Sequence, residues 1–181
     1  MSWLTIPVRH DFGQSIEETT VSDPIWAVRH WDQLKQSYSG AAHFKEFAPL
    51  FKSIYAEMGE SRYLSAINHR FLREVNQILG VKTVLSWSRD YSLVDGQTER
   101  LVDLCRQTSA TEYVSGPAAK AYLQEDLFQK AGVEIRYIDY SGYTEYRQLH
   151  PPFVHEVSIL DLVFNEGPDA PRYLKSVPRH C

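Results

Sequence analysis

Between positions 83 and 140 the chain alternates apolar runs with amphipathic stretches: TVLSWS, TERLVDLCRQT, TEYVSG, PAAKAYLQEDLFQKAG and VEIRYIDY. The order reads strand, helix, strand, helix, strand, with strands predicted over 83–87, 111–114 and 133–138 and the first helix over 98–108. Such alternation predicts parallel β-α-β units. The first run is nearly all apolar to Leu85, as a central strand covered on both faces would be. In the third, Val133, Ile135 and Tyr137 alternate with Glu134 and Arg136, which predicts one wet face and a place near an edge.

Upstream, helical spacing takes over. Asp23-Pro24 is a start signal, with a carboxylate at the cap and proline in the first turn, and Ile25, Val28 and Leu34 carry a helix to about Tyr38. A second helix covers Ala42 to Met58, with Phe44, Phe47, Leu50, Phe51, Ile54 and Tyr55 at helical spacing. A third runs from Ser61 to Leu79 and stops at Gly80. These helices form a layer over 23–80 that needs an apolar partner, and the sheet is the expected one. Trp3 to Val8 reads as a short strand that Pro7 confines to an edge.

Downstream, Tyr137, Tyr140, Tyr143 and Tyr146 recur every three residues, which predicts a core-covering loop, with stacking on a sugar or base as the alternative reading. Pro151-Pro152 is a stiff link. Ser158 caps a short helix from Ile159 to Phe164, Asn165 is expected to cap its end, and the last dozen residues read as a loose tail. The predicted fold class is α/β: a small parallel, Rossmann-like, three-layer sheet of β-α-β units with an additional helical layer. It occupies one domain over 1–181, with the core at 83–140 and a C-terminal loop, short helix and tail at 141–181.

Composition narrows the function classes. The chain has 181 residues, a length usual for one domain with its own core. A net charge of −4 with mixed signs throughout gives no basic footprint for nucleic acid. No apolar run approaches the ~18 residues of a membrane span, and the N-terminus lacks a basic-then-apolar leader pattern. A cytoplasmic protein is expected. Two cysteines, Cys105 and Cys181, are too few for a disulfide framework. Cys105 shares a helical face with Leu101, Leu104 and Thr108 and reads as a buried thiol, and Cys181 as part of the tail.

The candidate chemistry gathers at strand ends. In β-α-β units, ligands sit where strand C-termini and helix N-termini meet. Ser115-Gly116-Pro117-Ala118-Ala119-Lys120 lies at such a junction. Glycine gives the turn room, proline suits the first helical position, and the amides of Ala118 and Ala119 are expected to face outward as an anion site. Lys120 sits at the edge of the apolar stripe, within reach of the strand ends. The turn is not a Walker loop and lacks the second glycine of a dinucleotide fingerprint, so an ordinary capped helix with a flanking lysine is the competing reading. Ser86, Ser88 and Arg89 end the neighbouring predicted strand and Arg100 opens the helix after it, a set suited to phosphate or carboxylate recognition. Asp161, inside the apolar run SILDLVF, is either on a wet face or held by a buried donor, and a structural hydrogen bond is the favoured role over general-base work. Lys120 and Asp161 are the candidate catalytic residues. No histidine pair has ligand spacing with a carboxylate, so no metal site is expected. No nucleophile elbow and no cysteine-histidine pairing appears either.

Several segments together resemble the WbqC-like family: WLTIPV, the Trp26, His30-Trp31, Tyr38, Phe44 spacing, LGVKTVLSWS, YVSGPAAKAYL, the Val133–Tyr140 stretch with its Asp139-Tyr140 end, and SILDLVFNEG. The resemblance covers nearly the whole chain. It implies a bacterial protein of O-antigen, other surface-polysaccharide or specialised-metabolite loci. Comparison with nucleotidyl-transferring α/β folds is an analogy of fold alone. Family members also carry an upstream segment resembling His-x-Pro-Asn-x-x-Pro-x-x-Gly-Tyr, which is not seen ahead of Trp3. The expectation is a member lacking that segment, able to bind ligand and poorer in catalysis if the upstream histidine takes part in chemistry.

The reading that follows is a transferase using a nucleotide or other phosphate-bearing donor and a small-molecule substrate. The alternative is a non-catalytic accessory or binding subunit, as a homo-oligomer or on a biosynthetic partner protein, presenting Phe44, Phe47 and Phe51.

Overall fold

Helical periodicity translates directly into helices, with ends shifted by a residue or two. The computed structural model describes residues 3–9 and 11–175, so the expectation for Cys181 lies outside the described residues. Helix α1 (Trp26–Tyr38) buries Trp26, Ala27, His30 and Leu34, one face at helical spacing. Asp23 fixes its entry by accepting a hydrogen bond from the Ile25 amide and pairing with Arg29. Helix α2 (Phe44–Gly59) buries Phe44, Phe51, Ile54 and Tyr55. Helix α3 (Leu64–Ile78) ends as Gly80 predicted. Gly80 takes φ +67°, its amide bonds Gln77 O and the Val81 amide bonds Asn76 O, which is the Schellman pattern.

The contacts divide the chain into two compact units, residues 1–82 with 144–174, and residues 83–143 with the stretch from Lys175 onward. In the first unit the helical layer finds its apolar partner in helix α6 (Ile159–Glu166), where the sequence had suggested the sheet. Leu160 through Asn165 are all buried, and the Phe164 ring lies 5.3 Å from Tyr38, 5.1 Å from Phe44 and 5.5 Å from Phe51. Ser158 caps the helix as expected, its hydroxyl accepting from the Leu160 amide. Asn165 is not the C-cap: it is inside the helix and donates to Asp161 O at 2.8 Å. The stop falls at Gly167, with φ +53°, and residues 167–173 continue as a 3-10 helix with Ala170 buried. Up to Tyr173, therefore, the expected loose tail is packed structure. A small antiparallel ladder pairs β1 (Val8–Arg9) with β2 (Thr20–Val21), shorter than the strand read from Trp3 to Val8.

The second unit holds helix α4 (Gln97–Gln107), strand β3 (Glu112–Ser115), helix α5 (Glu125–Lys130) and strand β4 (Glu134–Tyr137). The two strands are parallel, with Tyr113 opposite Ile135 and Ser115 opposite Tyr137. This is the predicted β-α-β unit. The chain is mixed α/β, about half of it helical. The first predicted strand does not form: residues 83–87 have no regular structure and no ladder partners among the described residues, and Val84 is 87% exposed. The three-layer arrangement also lacks its second helical layer within this unit. Side chains of both α4 (Val102, Cys105) and α5 (Phe128) join Tyr113, Ile135 and Tyr137 in one apolar cluster, and these three lie on one strand face. The opposite face carries Glu112 and Arg136 as an ion pair beside half-exposed Val114.

Two outcomes test this description. At Gly167 a Cβ would sit 2.4 Å from the His43 ring in a backbone region that side chains avoid. Gly167→Ala is therefore expected to cost about 1–3 kcal/mol in urea unfolding, against a smaller loss for Gly132→Ala, where φ is +71° but the space is open. The second concerns His30, buried with Nε2 donating to Thr5 O at 3.0 Å. Burial lowers its pKa, helped by Arg29 and opposed by the Thr5 bond. The unfolded chain takes up that proton near pH 6.5 while the folded chain resists, so stability falls as pH drops below about 6.5 and levels off below the folded pKa. Carboxyls with lowered pKa, those of Glu18, Asp126 and Asp139, act only near and below about pH 4. Unfolding midpoints between pH 7.5 and 5 should thus decline in the native protein and flatten in His30→Gln.

Candidate functional site

The parallel pair defines where a site can form. Ser115 and Tyr137 end the two strands side by side, and the Ser115 carbonyl accepts from the Ile138 amide at 2.9 Å. The chain leaves β3 through Gly116 into a 3-10 helix over Pro117–Ala121. Gly116 lets Tyr140 approach the turn: a Cβ there would lie 3.3 Å from the Tyr140 hydroxyl, a tight contact that the exposed phenol would relieve by shifting slightly. Tyr140 is 60% exposed, so its phenol stands at the turn with one side open to water.

The expected long helix over this stretch is broken. The Gln124 backbone is extended, and its amide donates to Thr98 Oγ1 of α4 at 3.3 Å, so α5 starts only at Glu125. The dipole argument for the turn weakens with it, because five residues of 3-10 helix sum few peptide dipoles. The Ala119 amide is spent on Gly116 O at 3.1 Å, and Ala119 is buried. This corrects its reading as an outward anion donor. Ala118 stays at the surface.

Lys120 is exposed, and its ammonium lies 4.8 Å from the centroid of the Tyr137 ring. The Tyr137 hydroxyl donates to Glu125 Oε1 at 2.8 Å. That bond to a carboxylate raises the Tyr137 pKa, with desolvation adding to it. Among the described residues Lys120 makes no ion pair. Ser115, Gly116, Ala118, Lys120, Tyr137 and Tyr140 thus gather at the strand ends.

The other predicted contributors divide. Arg100 lies in the first turns of α4 near Thr98, with Nε donating to Val94 O at 3.0 Å. Ser86 accepts from the Tyr91 hydroxyl at 2.8 Å, Ser88 opens a short 3-10 helix, and the Arg89 guanidinium lies 4.5 Å from the Trp87 ring centroid. Gln107 clamps this loop through both the amide and the carbonyl of Ser92, at 3.1 and 2.7 Å. Gln107 is nine residues beyond Thr98, ~13 Å along the helix axis, whereas Thr98 is tied to Gln124 near the turn. The loop 86–92 is therefore anchored at the end of α4 away from Lys120, and the expected grouping of Ser86, Ser88 and Arg89 with it is not formed.

Asp161 belongs to the first unit and is 6% exposed. Its Oδ1 accepts from the Tyr146 hydroxyl at 2.7 Å, Gln148 Nε2 at 3.1 Å and Asn165 Nδ2 at 3.3 Å. Tyr38 bonds it as well. Burial, then the Asp161 charge and hydrogen bond, holds the Tyr38 phenol well above its ordinary range. Burial and the Asp161 contacts likewise raise Tyr146, with Gln148 opposing. Tyr55, buried without such a partner, is pushed up to about 12. A carboxylate this deeply buried among four donors is suited to the structural hydrogen-bonding role. Among the described residues no three His, Cys, Asp or Glu side chains form a metal-holding group, and no helix is long and apolar enough to cross a membrane. A shallow cavity of about 340 Å³ is lined by Glu125, Asp126, Gln129, Val133, Glu134 and Ile135. Its three carboxylates make it a poor home for an anion.

Glu125 and Tyr140 carried no sequence signal of their own. Glu125 fell inside the single helix expected over 117–132, and its bond to Tyr137 spans twelve residues. Tyr140 was visible as a member of the tyrosine series and of the Asp139-Tyr140 end, neither of which placed it at the turn.

A family model described as the WbqC-like protein family matches residues 1–173. The chain belongs to the WbqC-like family. A Mycobacterium tuberculosis (strain ATCC 25618 / H37Rv) protein, described as uncharacterized protein Rv1507c, is 45% identical over 177 residues. That match spans 97% of this WbqC-like chain and 76% of the mycobacterial protein. No solved structure matches. The resemblance read from WLTIPV through SILDLVFNEG is thereby established as membership.

The buried network gives a direct test. Asp161→Ala leaves several buried donors unpaired and is expected to lower unfolding free energy by about 3 kcal/mol in denaturant titrations. Tyr146→Phe, removing one donor of several, should cost about 1 kcal/mol.

Proposed function

We propose that this WbqC-like protein is a transferase of surface-polysaccharide or specialised-metabolite biosynthesis. It would take a nucleotide or other phosphate-bearing donor at the C-terminal ends of β3 and β4. The observation that carries the reading is the Lys120 ammonium: exposed, steered by the Tyr137 ring, and without a carboxylate partner among the described residues. A cation left uncompensated at the ends of parallel strands is the feature that phosphate recognition uses. The Ser115 hydroxyl and the Ala118 amide are the nearest donors in sequence to support it, and Arg100 is a second cation on the α4 side. Arg89, Ser86 and Ser88 would contribute only if their loop moved.

The parallel β-α-β unit is Rossmann-like in connectivity. Chemistry at such a site rests on positioning and charge stabilisation, without a covalent protein intermediate. The acceptor's heteroatom forms the new bond and the donor–phosphate bond breaks. The electron pair leaves on the phosphate oxygen beside Lys120, and the acceptor's proton passes to solvent. Donors of this kind are made in the cytoplasm, which is where the protein would act. The accessory-subunit reading loses the surface it relied on, because Phe44 and Phe51 are buried in the first unit's own core.

A thermal-shift panel tests the reading, using ATP, CTP, UDP- and dTDP-sugars and acyl-CoAs with and without magnesium. One class should raise the melting temperature in proportion to ligand binding, and Lys120→Ala should abolish the shift while melting unchanged without ligand. Equal affinity in native and Lys120→Ala protein would overturn it.

A further inference from the structure

We infer that Glu125 and Tyr137 are positioning residues for Lys120, and that their hydrogen bond keeps the Lys120 ammonium free to receive the donor phosphate. The inference rests on the donor-site reading above and assigns roles to two residues outside it.

Lysine is a flexible cation on a four-carbon stem, and an exposed one samples many rotamers. Here its ammonium lies 4.8 Å from the Tyr137 ring centroid, within the range where the negative face of an aromatic ring attracts a cation. The ring is itself fixed twice. It packs against the apolar cluster containing Phe128 and Ile135, and its hydroxyl donates to Glu125 Oε1 at 2.8 Å.

The same bond occupies Glu125. A carboxylate on the first turn of α5 is an evident partner for a lysine on the preceding turn, and an ion pair there would compete with any phosphate. Because Glu125 is engaged at the hydroxyl tip of the ring, the lysine above the ring centre stays unpaired. Tyr137 thus acts as a spacer with two jobs, seating the cation and holding the anion away from it. Such a spacer makes a signature that packing alone would not produce. Removing the hydroxyl frees Glu125 to pair with Lys120, and removing the Glu125 charge should then undo the damage.

The experiment uses the full chain and inorganic pyrophosphate as the probe, titrated into native protein, Tyr137→Phe, Glu125→Gln, the double variant and Lys120→Ala. Both conservative changes preserve shape, and unfolding curves confirm the fold. Tyr137→Phe is expected to weaken pyrophosphate binding about two- to five-fold. Glu125→Gln should leave it unchanged or tighter, and the double variant should return to the native value. In parallel, the Lys120 ε-methylene resonances should lie upfield from the ring current in native protein and in Tyr137→Phe/Glu125→Gln. They should return to the ordinary lysine position in Tyr137→Leu. Native affinity in Tyr137→Phe, or no recovery in the double variant while Lys120→Ala loses binding, would overturn the positioning roles and leave the donor site standing. Unaltered binding in Lys120→Ala would overturn the donor site, and an ordinary ε-methylene position in native protein would overturn the seating of Lys120.

Discussion

A carboxylate sealed inside a helical core is costly unless its oxygens find hydrogen-bond donors, and Asp161 imposes that requirement on the whole first unit. It lies on α6, whose residues Leu160 to Asn165 are buried on every side. Its four donors come from three places: Tyr38 at the end of α1, Tyr146 and Gln148 on the returning segment, and Asn165 one turn further along α6. Apolar packing around Phe164 would tolerate small slides, because dispersion is weakly directional. The hydrogen bonds would not. They fix the rotation of α6 and the register of residues 146–154, where Gln148 also exchanges bonds with both the amide and the carbonyl of Val154. The network therefore converts a hydrophobic bundle into one specified arrangement.

The second unit is organised differently. Its apolar cluster occupies one face of a two-stranded parallel sheet, and side-chain hydrogen bonds such as Thr98 to Gln124, Gln107 to Ser92 and Tyr137 to Glu125 tie its helices to loops and strand ends. Function is read from these exposed groups, since the buried ones in the first unit are already committed to one another. A cation at a strand end, with no anionic partner among the described residues, stands out against that background, and so does the tyrosine beneath it.

Elements governed by their own sequence were readable. The periodicity of α1, α2 and α3, the Gly80 stop and the Ser158 cap are each set by residues within a turn or two. Elements governed by distant residues were not. The run at 83–87 has strong strand propensity, but a strand exists only with a neighbour, and β3 takes β4 as its partner. The stretch from Pro117 to Gly132 looks like one helix, and the break at Gln124 comes from Thr98, twenty-six residues away. Asn165 resembled a cap because Gly167-Pro168 follows, while Gly167's positive φ was the true stop. In the site, Lys120 could be found from its place after the Ser-Gly-Pro turn. The loop 86–92 could not be excluded from it, because the Gln107 clamp that draws it away spans fifteen residues.

The core of the first unit is discontinuous, residues 1–82 being completed by 144–174. During synthesis, α1 to α3 emerge with their apolar faces bare, and α6 follows only after the whole second unit has been made. At ~5–20 residues per second that interval lasts several seconds. The second unit, by contrast, has its helices and paired strands close in sequence and can fold on emergence. A newly made chain is most exposed to aggregation in the seconds before residue 159 leaves the ribosome.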